Sequence, residues 1–369
     1  MNIGIIGSGM VAIAHLKALQ HISDVEYVYL HARNSANAEK LAMDFSKIRI
    51  ADSIRMVVEN SDGVIIATPN NTHLEILKSI VEVNAIPVLC EKPLSSSYED
   101  ALAFYQISPP LSAVAFNYRF NHALLAITEI SKKENLGKIL HLNLALNRNS
   151  ARTKKTIGWR DDGSQNKSGG ACGDLGSHLL DMVSYFTSHN IAENSLEASL
   201  EIKNPIREGV TLTEDDHCTM AGITDNGASF AIQASKSAED EEVGLHLHIV
   251  FEDGEIKYSS NSTPHALTLQ LSTSTNLIPI ETDSMIHIPD PKTEVPFWSD
   301  SFYLQNKAWI QQIIAKNIDN RLANIATGLK VQQLLAIAIS TPYKKTAVSS
   351  MFLSAPVDHS ISTPFSCAK

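Results

Sequence analysis

The opening run NIGIIGSGMVAIAH constrains this chain more than any other stretch. A short apolar strand ends in Gly7-Ser8-Gly9, and the helical pattern VAIAHLKALQHI starts at once. In such a strand–turn–helix, Gly7 lets the chain reverse and Gly9 lets the backbone approach a pyrophosphate, while the small Ala12 lets helix and strand pack closely. The phosphates would rest on free N–H groups at the helix start, beside Met10. The motif alone is a weak signal, and its weight comes from the segments downstream of it. VEYVYLHA, SANAEKLAMDF, DGVIIAT, THLEILKSIVEV, IPVLCEKP and LSAVAFNY alternate strand and helix patterns. That predicts an α/β unit over residues 1–120, a doubly wound parallel sheet of the Rossmann type that binds a dinucleotide. The competing reading is a flavodoxin-like sheet for another ligand.

The second strand bears on which dinucleotide. A site selecting NAD usually places an acid there for the ribose 2′-OH, and one selecting NADP has an Arg instead. Here the residues are His31, Ala32, Arg33, Asn34 and Ser35, with no carboxylate before Glu39. NADP(H) is favoured, with Arg33 and Ser35 near the 2′-phosphate, and NAD(H) is the alternative.

A chain of 369 residues, 44% hydrophobic and 19% charged, has room for two domains. Its net charge of −10 argues against nucleic acid as a partner. Cys90, Cys172, Cys218 and Cys367 lie far apart, which fits neither a disulfide framework nor a structural zinc site. No stretch reaches the roughly 20 apolar residues of a membrane span, and the N-terminus has no basic leader. A cytoplasmic protein without membrane contact is expected.

Ligands of open parallel sheets bind beyond the carboxyl ends of the strands. After the fourth strand stand Thr68, Pro69, Asn70 and His73, and after the fifth stands Glu91. Asn117 comes after the sixth, with Tyr118 and Arg119 beside it. The first six are expected on the cofactor side, the last two on the substrate side. Lys92, at the end of a buried strand and before Pro93, occupies a costly place for an ammonium unless it has a task. Its charge would lower the pKa of a substrate hydroxyl and orient it. Further on, GGACGDLGSHLLDM places Asp174 and His178 four apart, on one face of a helix. Three readings compete: a metal site, a proton relay, or an ordinary helix. Without HExxH or cysteine company the metal reading is disfavoured, and no metal is expected. Asp181 is read as structural, a candidate for holding the imidazole tautomer.

From residue 121 the pattern changes. KILHLNLALN, LEASLEIK, HCTMAGITD, ASFAIQASKS, GLHLHIVFEDGEIKYSS and ALTLQLS alternate between Asp-Gly and Asn-Gly turns, which predicts a second, α+β domain with a mostly antiparallel sheet over 121–343. Its terminal helices, SFYLQNKAWIQQIIAKN and RLANIATGLKVQQLLAIAIS, are expected to pack back on the first domain. A Ser- and Pro-rich tail occupies 344–369.

Taken together, GSGMVAIAH, TPNNTH, CEKPL, NYRF and GDLGSHLLDM resemble the Gfo/Idh/MocA oxidoreductase family, in its order and spacing. The resemblance implies that Lys92, Asp174 and His178 form the catalytic group, with His178 taking the proton of a secondary hydroxyl while Lys92 and Asp174 position it. It also implies an open second sheet whose outer face makes a homodimer or homotetramer. The segment NRNSARTKKTIGWRDDG carries Arg148, Arg152, Lys154, Lys155 and Arg160 before its first acid, a cluster able to clamp a phosphate or simply to face water. Together with FWSDSF it is similar to the glucose-6-phosphate 3-dehydrogenase subgroup, which implies oxidation at C3 of a hexose 6-phosphate. Trp159 fits a sugar face. That subgroup uses NAD with an acid after the second strand, from which Ala32 and Arg33 depart. The expected substrate is a sugar or sugar phosphate. The competing readings are an NADPH-dependent ketosugar reductase and a non-catalytic dinucleotide-binding regulator.

Overall fold

The computed structural model describes residues 1–154, 156–157, 170–282, 288–290 and 294–340. Six parallel strands come from the first third: β1 (Ile3–Ile6), β2 (Val28–His31), β3 (Ile48–Ile50), β4 (Gly63–Ile66), β5 (Val88–Cys90) and β6 (Ala113–Val114). They lie in the order β6-β5-β4-β1-β2-β3. The order reverses at β1, which opens a crevice beyond the carboxyl ends of β1 and β4. Both strands are buried over their whole length, which is why IGII and GVII are unbroken apolar runs.

The second sheet is built from β7 (Ile139–Asn147), β8 (Glu197–Glu201), β11 (His217–Ile223), β12 (Ser229–Ser235), β13 (Gly244–Phe251), β14 (Glu255–Ser259), β15 (Ala266–Leu271) and β16 (Ser274–Pro279), with a small ribbon of β9 (Ile206–Arg207) and β10 (Val210–Thr211) beside it. Its order is β16-β15-β14-β13-β7-β12-β11-β8, antiparallel throughout except where β7 runs parallel to β12. Alternation sets its faces. Leu245, Leu247, Ile249 and Phe251 of β13 are buried on the side that also buries Leu142, Leu144 and Leu146 of β7, and His246 and His248 point the other way. Against the buried face lies the helix Ser177–Thr187, whose Leu179, Leu180, Met182 and Val183 are fully covered. Each such side chain contributes about 1.5–3 kcal/mol.

Late segments complete the first sheet. A two-residue strand, β17 (Ala323–Asn324), pairs antiparallel with β6, an addition that no sequence pattern marks. The helix Trp298–Ala315 packs on Met10–Gln20 and buries Trp309, whose indole N–H donates to Leu111 O at 3.2 Å. Helix Ile325–Ser340 packs on both Tyr98–Ile107 and Ser177–Thr187, so it touches both sheets' layers. The tail after residue 340 lies outside the described residues.

The glycine turn after β1 shows two different demands. Gly7 sits at φ +123°, and a Cβ there would lie 2.3 Å from Ala67 O, whereas a Cβ on Gly9 would meet nothing within 4 Å. Gly7→Ala is therefore expected to lose about 1–3 kcal/mol of stability, and Gly9→Ala under about 1 kcal/mol. Urea unfolding of the two variants checks the contrast, and equal losses would refute it.

Candidate active site

A cleft of about 720 Å³ opens over the carboxyl ends of β1 and β4. Gly7, Gly9 and Met10 form one wall, Ala32, Arg33 and Asn34 a second, and Thr68, Pro69 and Asn70 a third. Glu91 and Lys92 close its end. The helix Met10–Gln20 begins at Gly9 with no side-chain cap, so its first N–H groups face a space that Gly9 leaves open. These features fit a dinucleotide: an uncapped helix start, a backbone that can be approached, and a long cleft. No carboxylate stands among the lining residues Ala32, Arg33, Asn34 and Asn37 that directly follow β2.

Several residues expected on the cofactor side do other work. Ala12 is fully buried as the small packing residue. Ser35 is exposed as the first residue of its helix, and Asn34, which caps that helix, lines the cleft instead. His73 is buried and joins two loops, with Nε2 3.0 Å from Thr68 O and Nδ1 3.2 Å from Leu94 O. Burial lowers its pKa. It shapes the cleft wall without lining it. Asn117 is likewise buried, its amide donating to Ser301 Oγ at 2.7 Å.

At the cleft's end, the Glu91 carboxylate meets His15 Nε2 at 2.9 Å, and His15 Nδ1 meets Asn306 Oδ1 at 3.0 Å. This buried chain ties the end of β5 to two helices. The adjoining Lys92–Pro93 bond is cis. Lys92 Nζ donates to Asp174 O at 2.6 Å and to Asp174 Oδ1 at 3.0 Å.

Asp174 sits in a turn that is wider than the even helix its spacing suggests. Residues Cys172–Gly176 form a π-helical turn before the α-helix Ser177–Thr187. Asp215 fixes its start: Oδ2 accepts from Cys172 N at 2.8 Å, and the backbone carbonyl accepts from Ala171 N at 2.8 Å. Gly170 permits this closeness, because a Cβ there would overlap the Asp215 carboxylate at 1.9 Å. Burial raises the Asp215 pKa to about 6, against the pull of the Cys172 N–H. Such π turns interrupt helices most often at functional sites.

His178, one turn on, is 5% exposed and packs edge-on against Tyr118 and Phe116, with ring centroids at 4.6 and 6.0 Å. Its Nδ1 has no hydrogen-bond partner among the described residues. Burial first, then the Lys92 ammonium, hold its pKa well below the usual histidine value, with Asp174 opposing. The imidazole is therefore neutral at physiological pH and able to accept a proton.

Asp181 does not hold the imidazole. Its two oxygens take Arg119 Nε at 2.8 Å and Nη2 at 2.6 Å in a buried bidentate pair, which also removes Arg119 from the substrate side. Arg152 likewise turns away, to Glu239 Oε2 at 2.5 Å and Ala238 O at 3.0 Å. Lys155, Trp159 and Arg160 lie outside the described residues. Tyr118 is buried beside His178, and its hydroxyl has no partner of good geometry. Burial raises its pKa, while the nearby Arg148 opposes.

Of three further groups at the site, Arg148 belongs to the basic run noted in the sequence, while Lys236 and Glu294 have no counterpart in any local motif. Lys236, just past β12, lies 3.3 Å from Asp174 Oδ2. Arg148, just past β7, and Glu294 both act electrostatically on Tyr118, and Arg148 Nε and Glu294 Oε2 are buried polar atoms without a hydrogen-bond partner among the described residues. On the far side of Asp174 a small polar cavity is lined by Lys154, Arg207 and Lys236 together with Glu214 and Asp215. Only chain position after a strand could have pointed to Lys236. No group of three or more His, Cys, Asp or Glu residues forms a metal-ligating cluster among the described residues.

The comparisons with known proteins agree with this architecture. The family model described as an oxidoreductase family with an NAD-binding Rossmann fold matches residues 1–116, and the GFO/IDH/MocA C-terminal domain matches residues 124–257. The chain belongs to the Gfo/Idh/MocA family. It is 30% identical over 337 residues to glucose-6-phosphate 3-dehydrogenase of Bacillus subtilis, covering 90% of this chain and 94% of that protein. To levoglucosan dehydrogenase of Pseudarthrobacter phenanthrenivorans it is 27% identical, with 68% and 70% covered. A solved levoglucosan dehydrogenase in complex with NADH and levoglucosan superimposes with a TM-score of 0.79 at 21% identity, covering 92% of this chain and 96% of that one, which establishes the shared fold. As in that family, the chain is an oxidoreductase with a Rossmann nucleotide-binding domain and a second, mostly antiparallel sheet.

The Arg119–Asp181 pair gives a test of its structural assignment. Arg119→Ala leaves a buried carboxylate without its cation and is expected to destabilise the fold by about 3–5 kcal/mol. Chemical denaturation measures this, and a loss confined to substrate affinity would return Arg119 to the substrate side.

Proposed function

We propose that this chain is a nicotinamide-dependent dehydrogenase acting on a secondary hydroxyl of a sugar, with glucose 6-phosphate at C3 as the best candidate substrate. The observation that carries this reading is the convergence of Lys92, Asp174 and His178 at the end of the nucleotide cleft. A bound nicotinamide would supply the hydride acceptor. The residues of the chain manage the proton. Neutral His178 accepts it from the substrate hydroxyl, and the Asp174 carboxylate favours the imidazolium that forms. The Lys92 ammonium stabilises developing negative charge on the substrate oxygen. A nucleotide-binding regulator would have no need of a buried base beside a lysine–aspartate pair.

The phosphosugar reading draws on the Bacillus subtilis relative and on cations near Asp174. Of the basic loop, Lys154 faces the small cavity beside Asp174, and Arg207 and Lys236 join it from other elements. Arg148 is placed nearer His178. NADP(H) is preferred in this reading because Arg33 lines the cleft where an acid would select NAD. The reverse reaction, reduction of a ketosugar, uses the same groups and suits that preference. A homodimer or homotetramer through the outer face of the second sheet completes the proposal.

The deciding experiment is nicotinamide reduction at mildly alkaline pH, crossing NAD and NADP with glucose 6-phosphate, glucose and myo-inositol. Turnover is expected with glucose 6-phosphate and NADP. Lys92→Ala should lose about a hundredfold or more in kcat while nucleotide binding is kept. Lys154→Ala should raise KM for the phosphosugar, whereas Arg152→Ala should leave it unchanged. Turnover of glucose alone would remove the phosphate from the reading, and equal use of NAD after Arg33→Ala and before it would remove the role of Arg33.

A further inference from the structure

Lys236 leaves β12 with Nζ 3.3 Å from Asp174 Oδ2, while Lys92 Nζ holds Oδ1 at 3.0 Å. Both lysine side chains are nearly buried, at 13% and 11% exposed. A carboxylate with one oxygen on each of two fixed cations cannot rotate without losing one of them. We infer that Lys236 is a positioning residue for the dehydrogenation, holding the Asp174 carboxylate so that Oδ1 stays on Lys92 and taking up part of its charge.

The placement of Lys236 is itself fixed from behind. Its backbone N–H donates to Asp216 O at 2.7 Å, and the Asp216 carboxylate accepts from Lys203 N and Asn204 N, both at 2.7 Å. The neighbouring Ser237 hydroxyl donates to Asp216 Oδ1 at 3.3 Å. The strand exit is thus anchored on one side while the ammonium reaches the catalytic turn on the other. Asp215, which starts that turn, feels the Lys236 charge as well. Lys236 therefore links two fixed points: the strand exit and the Asp174 carboxylate.

The charge has a consequence of definite sign. Asp174 favours protonated His178, and Lys92 and Arg148 oppose it. Removing the Lys236 cation leaves the full carboxylate charge to act on its neighbours, so protonation of His178 becomes easier. Among the described residues, Lys154, Arg207, Glu214, Asp215 and Asp216 also line the cavity beside Lys236.

This inference rests on Lys92, Asp174 and His178 being the reacting set, and the test separates the two. In the full-length chain, Lys236→Met, Lys236→Gln and Lys236→Arg are compared by NMR titration of His178, with the resonance assigned through His178→Asn, and by kinetics with glucose 6-phosphate and NADP. In the neutral variants the His178 midpoint should rise by about half a unit, and kcat should fall about tenfold with NADPH affinity unchanged. Lys236→Arg should restore most of both. An unmoved His178 midpoint in a folded neutral variant overturns the inference, with or without turnover of the probe substrate. If Lys92→Ala turns over like the parent, the reacting set is wrong; if it is inactive while Lys236→Met is unaltered, only the role of Lys236 falls.

Discussion

The structure depends on a contact between its two sheets: the Lys92 ammonium, at the end of a parallel strand, against the Asp174 carboxylate at the start of a helix that packs on the antiparallel sheet. An ion pair so little exposed is stabilising only if geometry and further hydrogen bonds offset its desolvation. Here both sides are braced. Glu91, His15 and Asn306 hold the strand end, and Asp215 holds the turn. The result is a nucleotide cleft that ends where a buried, neutral imidazole begins.

Local pattern explains what could be read from sequence. The strand–glycine–helix opening, the unbroken apolar runs of β1 and β4, and the alternation of β7 and β13 each state their own environment, because side-chain period reports which faces are covered. Lys92 drew notice because an ammonium at a buried strand end is locally costly, but the spacing of Asp174 and His178 left a metal site, a proton relay and an ordinary helix open, and only the resemblance grouped the three residues.

What escaped the sequence is whatever depends on partners distant in the chain. Arg119, Asp181, His73 and Asn117 carry polar groups suited to ligands, yet each satisfies a buried partner in the protein itself. Residue type cannot distinguish the two uses. Lys236 shows the converse: an ordinary cation at a strand end that only the fold of the second sheet brings beside Asp174. The edge strand β16 gave no alternation because most of its side chains are exposed, and β17 is two residues long.

The contribution of residues 298–340 to the first sheet has a consequence for synthesis. Among the described residues, β6 finds its outer neighbour in Ala323–Asn324, Trp309 covers Gly63 of β4, and Asn306 completes the brace on Glu91. A nascent chain that has emerged only through residue 120 therefore carries a sheet whose β6 edge and one face lack the cover that residues 298–340 supply. Unpaired edges and bare apolar faces favour association over folding. On the ribosome, the first sheet gains this cover only once the helices made near the end of translation have emerged.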